Sequence, residues 1–155
     1  MTRIFSTPAH VPGFYGSFYD SSSAQSAASP NIGYPMRLNT TVETFGVTVN
    51  SSSISILNKG VYNFQFSTQF VGAKTANLNI WLKQNGIDVP WSNTTLTTSN
   101  QSSDIVAAWN FVQTFNANDV VQLMWATSDV AIQIQSASVI AGPQVPGVIV
   151  TVTQI

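Results

Sequence analysis

At 155 residues the chain is sized for one domain, which can bury roughly 68–70% of its unfolded surface, and it has no cysteine, so disulfide staples and thiolate metal sites are excluded. Only 7% of residues are charged, against about 25% in ordinary soluble domains, while 44% are hydrophobic. The net charge of −1 offers no basic field for nucleic acid and no polybasic cluster for a membrane, and so uncharged a surface favours association.

Residues 1–13 carry Pro8, Pro12 and Gly13 with neither helical nor strand period, and are expected to form an extended arm. Their opening has no long apolar run behind Arg3 and does not read as a signal peptide. The globular domain is expected over 14–155. A short aromatic strand, Phe14 to Tyr19, leads into the small polar run Ser21–Pro30, a loop or a brief helical turn. From Tyr34 on, β-branched and aromatic residues alternate with polar ones between turn signals. In Gly60–Phe70, Tyr62, Phe64, Phe66 and Phe70 share one face, and Asn63, Gln65, Ser67 and Gln69 the other. The strand Leu78–Gln84 runs into Asn85-Gly86, a strong hairpin signal, from which Ile87-Asp88-Val89 can return antiparallel. Strands follow at Ile105–Val112 and Val120–Trp125, separated by the turn Asn116–Asp119, then at Ala131–Gln135 and Val148–Thr153. Many short strands with Gly, Pro and Asn between them predict an all-β, antiparallel, two-sheet jelly-roll sandwich.

Two strands, Val120–Trp125 and Val148–Val152, are apolar at successive positions, so both of their faces should be covered, the second by another subunit. If Tyr62, Phe64, Val121, Leu123 and Trp125 face the core, alternation turns Val120, Gln122 and Met124 toward neighbours. Those three, with Val148 and Val150, are the expected trimer interface.

Residues able to carry chemistry are few. There is one histidine, His10, in the arm, and no cysteine, which removes Cys–His catalysis and any multi-histidine metal centre. Asp20, Glu43, Asp88, Asp104, Asp119 and Asp129 are scattered among turn residues, which fits solvated turn acids better than the facing carboxylate pair of a glycosidase. No loop gathers the carboxylates of a calcium site, and no phosphate-binding glycine loop is present. The chain is therefore expected to be no enzyme and to hold no cofactor or metal. Four Asn-x-Ser/Thr sequons, at Asn39, Asn50, Asn93 and Asn100, are chance products of a composition rich in Asn, Ser and Thr. Of the tryptophans, Trp81, Trp109 and Trp125 lie in strand patterns, whereas Trp91 follows Pro90 in a turn region. Trp91, beside Asp88, is the candidate ligand contact.

Gly60-x-Tyr62-x-Phe64, then Lys83-Gln84-Asn85-Gly86, then Asn118-Asp119-x-Val121-x-Leu123 resemble, in the same order, strings of the globular domain shared by complement first-component subunit q and tumour necrosis factor. The chain departs from that pattern at Asn118, where the family has Gly, and in its closing strand, which lacks aromatics. The segments Asn79–Gly86, Val89–Thr94 and Val121–Trp125 are similar to strings in small structural proteins of tailed bacteriophages. These resemblances imply a homotrimer of jelly rolls, packed through a sheet holding residues 61–70, 120–125 and 148–154, in a virion component. Only about thirteen residues precede the jelly roll, leaving no shaft. A capsid cement or decoration protein on the outer surface of the virion is therefore expected, its arm residues Arg3, Ile4, Phe5 and His10 reaching the major capsid protein. The alternatives are the receptor-binding tip or adaptor of a tail or head fibre, with a host glycan as partner, a carbohydrate-binding module, and a glycan-cleaving tailspike.

Overall fold

Alternation sets the architecture. In the computed structural model, which describes residues 13–101 and 103–155, fourteen strands numbered in chain order form two seven-stranded antiparallel sheets. The first holds β1 (Tyr15–Asp20), β2 (Ala24–Ser26), β4 (Thr40–Phe45), β7 (Gly60–Gly72), β11 (Ser103–Phe115), β13 (Gln133–Gln135) and β14 (Val148–Gln154). The second holds β3 (Tyr34–Pro35), β5 (Val47–Asn50), β6 (Ser53–Ile56), β8 (Asn77–Gln84), β9 (Ile87–Asp88), β10 (Thr94–Thr97) and β12 (Asp119–Thr127). Among the described residues there is no helix, and the polar run after Asp20 contains the short strand β2 instead of a helical turn.

The first sheet is organised around β7. One edge of β7 pairs with β11 along its whole length, and the other pairs with β14 and then β13; β14 continues to β1 and β4. In the second sheet β12 is flanked by β8 on one side and by β6 and β3 on the other. Because β7, β11 and β14 belong to one sheet and β8, β10 and β12 to the other, the chain crosses the sandwich repeatedly, as a jelly roll requires.

Tyr62, Phe64, Phe66 and Phe70 of β7 are all buried, with Phe18 of β1 and Val148, Val150 and Val152 of β14 beside them. Ile54, Ile56, Leu78, Ile80, Leu82, Val121, Leu123 and Trp125 meet them from the second sheet. The Phe70 and Trp125 rings, 5.8 Å apart between centroids, join the two sheets directly.

Two turns rest on left-handed backbone. Asn85 and Gly86 have φ of 50° and 81°, the geometry of a type I′ hairpin, and they return β8 into β9 with Lys83 opposite Asp88. At the β11–β12 turn Asn118 has φ of 69°, so its asparagine performs the left-handed role that glycine takes in the family's string.

The structure corrects the expected sheet membership. β12 is in the second sheet, away from β7 and β14. Its doubly apolar pattern has an intramolecular cause: Met124, on the outward face and 4% exposed, lies opposite Trp81 of β8 and beneath Gly33. A Cβ on Gly33 would stand 2.8 Å from the Trp81 indole, so the indole reaches Gly33 beside Met124 only because residue 33 has no side chain.

Replacing Phe64 by Ala should lower the unfolding free energy by about 3–5 kcal/mol, from lost burial and the cavity left behind, as read by urea denaturation.

Candidate functional site

Val148 and Val150 are fully buried inside their own sandwich, so they cannot meet a neighbour. The parity of β14 is the reverse of that expected: Ile149, Thr151 and Thr153 face outward. Val120 and Gln122 are half-buried on the outward face of the second sheet, where Gln122 Nε2 donates to Ser53 Oγ at 3.3 Å. Met124 is covered as described. The five residues expected at one interface thus divide between the core and the outward face of the second sheet. The arm residues Arg3, Ile4, Phe5 and His10 lie outside the described residues.

The outer face of the first sheet is the surface that parity had hidden. Register aligns three rows across β11, β7, β14, β1 and β4: Val112, Asn63, Thr153, Tyr15, Phe45; then Asn110, Gln65, Thr151, Ser17, Glu43; then Ala108, Ser67, Ile149, Tyr19, Thr40. Glu43 is the one charged residue in these rows. Val112, Phe45 and Ile149 are 50%, 49% and 40% exposed, a large apolar share for a solvated face. The signal was present in the sequence: in Val-Ile-Val-Thr-Val-Thr both threonines share one parity with Ile149, and polar residues mark the outward side.

Trp91 and Asp88 are brought together. They line an open cleft of about 390 Å³ with Gln84, Asn85, Ile87, Val89, Pro90 and Gln113, where the β8–β9 hairpin approaches β11. The Trp91 indole is 58% exposed and its ring centroid stands 6.0 Å from that of Phe111. Below it, Phe111, Trp109 and Phe66 continue an aromatic cluster along the edge of the sandwich. Asp88 Oδ1 accepts from Trp81 Nε1 at 2.7 Å and lies 3.5 Å from Lys83 Nζ. Gln113 Nε2 donates to Gln84 Oε1, while Gln113 Oε1 is buried without a protein partner among the described residues. A polar residue on the inward parity of β11, between Phe111 and Phe115, was the available signal for Gln113.

Two residues that line the cleft, Gln84 and Asn85, are held by Asp119. Burial pushes its carboxyl up, but bonds from Asn85 Nδ2 at 2.8 Å, the Asn116 N–H at 2.7 Å and Gln84 Nε2 at 2.7 Å outweigh burial and hold it below the ordinary carboxylate value. Asn85 Oδ1 in turn accepts from the Val120 N–H, so one carboxylate ties the hairpin turn to the β11–β12 turn. Asp20, 1% exposed, is likewise structural, accepting from Ser22 Oγ and Gln25 Nε2 and lying 3.6 Å from Arg37 Nε. Asp88 is the one carboxylate lining the cleft, where a glycosidase needs two. Among the described residues no group of three His, Asp or Glu could hold a metal ion, and no helix is long and apolar enough to cross a membrane.

No family model and no curated protein matches this sequence. Solved structures do match. Murine APRIL at pH 5.0 superposes with a TM-score of 0.64 at 8% identity, over 92% of this chain and 99% of that one. At pH 8.0 murine APRIL gives 0.61 at 10%, over 92% and 98%. The chain has the tumour necrosis factor-type jelly-roll fold. That fold sets the expected two-sheet antiparallel architecture in place, and the likeness, at such low identity, extends to the fold alone.

The lowered Asp119 carboxyl makes stability depend on acid. Its contribution should be fully present above the unfolded value near pH ~4 and be lost as pH falls through the lower folded value. Urea midpoints measured downward from about pH 6 should show this acid limb, and Asp119→Asn should flatten it while lowering stability at neutral pH by about 1.5–3 kcal/mol.

Proposed function

We propose that the chain is a non-enzymatic structural module that assembles as a homotrimer through the outer face of its first sheet, and that the trimer decorates and cements a bacteriophage capsid. The observation that carries the assembly is the set of three aligned rows spanning five strands with Glu43 as the one charge. A face that met only water would gain solubility from Lys and Glu at such positions. Cores of obligate interfaces are instead depleted in charge and rich in apolar and aromatic residues, as Val112, Phe45, Tyr15, Tyr19 and Ile149 make this one. A composition with 7% charged residues supports the same reading.

The virion role is supported by the likeness of Asn79–Gly86, Val89–Thr94 and Val121–Trp125 to strings in small phage structural proteins. In this reading the trimer sits on the outer surface of the head and the arm, with Arg3, Ile4, Phe5 and His10, contacts the major capsid protein. Repeated copies convert modest contacts into firm attachment. The second reading, a fibre tip or adaptor that binds the host, is favoured by the exposed Trp91 in its cleft.

Ile149→Asp places a carboxylate at the middle of the proposed interface, where burial without a partner costs several kcal/mol. Light scattering should show a trimer for the parent and a monomer for the variant, with circular dichroism unchanged; a variant that stayed trimeric would remove this face from the assembly. Co-sedimentation with undecorated capsids should retain the intact trimer stoichiometrically and lose it when residues 1–13 are deleted. A trimer that ignores capsids and binds host cells would instead be a fibre tip.

A further inference from the structure

The cleft between the β8–β9 hairpin and β11 has three features that together select a class of ligand. Its wall is an indole, Trp91, more than half exposed although its other edge meets Phe111. Its volume, about 390 Å³, falls in the range of about 300–1,000 Å³ usual for small-molecule sites. Two of its polar atoms, Gln113 Oε1 and Asp88 Oδ2, are acceptors without a protein donor among the described residues. Gln113 Oε1 is buried without a protein partner among the described residues, an arrangement that leaves its desolvation uncompensated unless something donates to it. Asp88 Oδ1 is occupied by Trp81 Nε1 and Lys83, and Oδ2 takes neither of these bonds. Asn85 and Gln84 are used within the protein, held by Asp119 and Val120.

We infer that this cleft binds a neutral sugar ring, with the ring's C–H face against Trp91 and two of its hydroxyls donating to Gln113 Oε1 and Asp88 Oδ2. The C–H bonds on one face of a pyranose carry partial positive charge and suit the negative face of an indole. Its hydroxyls supply the donors that these two acceptors lack. A cation would also suit an indole beside a carboxylate, but Lys83 already lies 3.5 Å from Asp88 and neutralises it. An acidic sugar would bring a carboxylate, which only accepts, toward Asp88 Oδ2 and Gln113 Oε1, and neither acceptor can donate to it. The hairpin is held rigid by the Asn85–Asp119 bond, so the cleft is formed before any ligand arrives. This inference holds for a cement trimer and a fibre tip alike, so its failure leaves the assembly reading intact.

The test uses the full chain on a printed array of neutral and sialylated oligosaccharides, followed by calorimetric titration with the neutral oligosaccharide that is retained best. Neutral spots should be retained and sialylated ones not. Trp91→Ala should weaken the titrated affinity about tenfold or more. Trp91→Phe should keep part of it, and Gln113→Leu should weaken binding with Trp91 still in place. Light scattering accompanies each variant. A blank array, a preference for acidic glycans, or affinity unchanged by Trp91→Ala would overturn the proposal. So would a Trp91→Ala chain whose assembled mass falls, since the indole would then be a contact between copies.

Discussion

Strand β7 has more demands placed on it than any other element. Over thirteen residues it pairs continuously with β11 on one edge and with β14 and β13 in succession on the other. Its inward residues, Tyr62, Phe64, Phe66 and Phe70, provide the aromatic layer against which the second sheet closes. A one-residue slip of β7 would send those rings outward and bring Asn63, Gln65, Ser67 and Gln69 into the core, with every paired strand displaced as well. The phenol of Tyr62 donates to the Asn58 carbonyl at 2.8 Å, which fixes where the strand begins, and burial pushes its pKa up. The outward rows of the first sheet inherit their register from this one strand.

The second sheet is tied to the first at its turns as well as through the core. Asp119 begins β12 but bonds to Gln84 and Asn85 at the end of β8, while Gln113 of β11 reaches Gln84 from the other sheet. This chain of polar side chains spans the sandwich at the end where the cleft opens. Because a carboxylate with three donors is held more firmly than a neutral pair, the loop geometry at Trp91 depends on a charge that is almost hidden from solvent. Among the described residues few charges are buried, and each of the two most buried, Asp20 and Asp119, joins separate segments of the chain.

How much of this was legible follows from what a single strand reveals. The periodicity of Gly60–Phe70 identifies its inward face without ambiguity, and Asn85-Gly86 marks a turn by its chemistry. Asn118 shows that a string can depart from a family pattern in letter while keeping the backbone requirement, since asparagine tolerates positive φ. Sheet membership was another matter. Nothing local in Val120–Trp125 distinguishes a strand beside β7 from one across the core, and its apolar outward face was attributed to a neighbour because the cover supplied by Gly33 and Trp81 depends on a distant segment. The parity of Val148–Thr153 was readable from its threonines, yet the valines on one side and the isoleucine on the other are both acceptable in a core. Trp91 and Asp88 were placed in one site by proximity in sequence, whereas Gln113, some twenty residues away, enters the cleft only through the pairing of β11 with β7.

The edge of the first sheet adds an independent reason for assembly. Among the described residues strand β11 pairs with β7 alone, so one side of a thirteen-residue strand presents backbone groups that these residues do not pair. Edges of that length are usually defended by lysine, proline or a bulge. Here the exposed residues include Val106 and Val112, and the pairing with β7 runs through all thirteen residues without a register break. Asp104 is the only charge along it. An undefended edge beside a face with a single charge is a hazard in a monomer, but closed symmetry can remove it by covering each copy's edge with the next copy, without leaving a free end for further growth. In the proposed trimer the scarcity of charge would then be a requirement of the assembled state, because a lysine that protected β11 in the monomer would have to be buried at the contact.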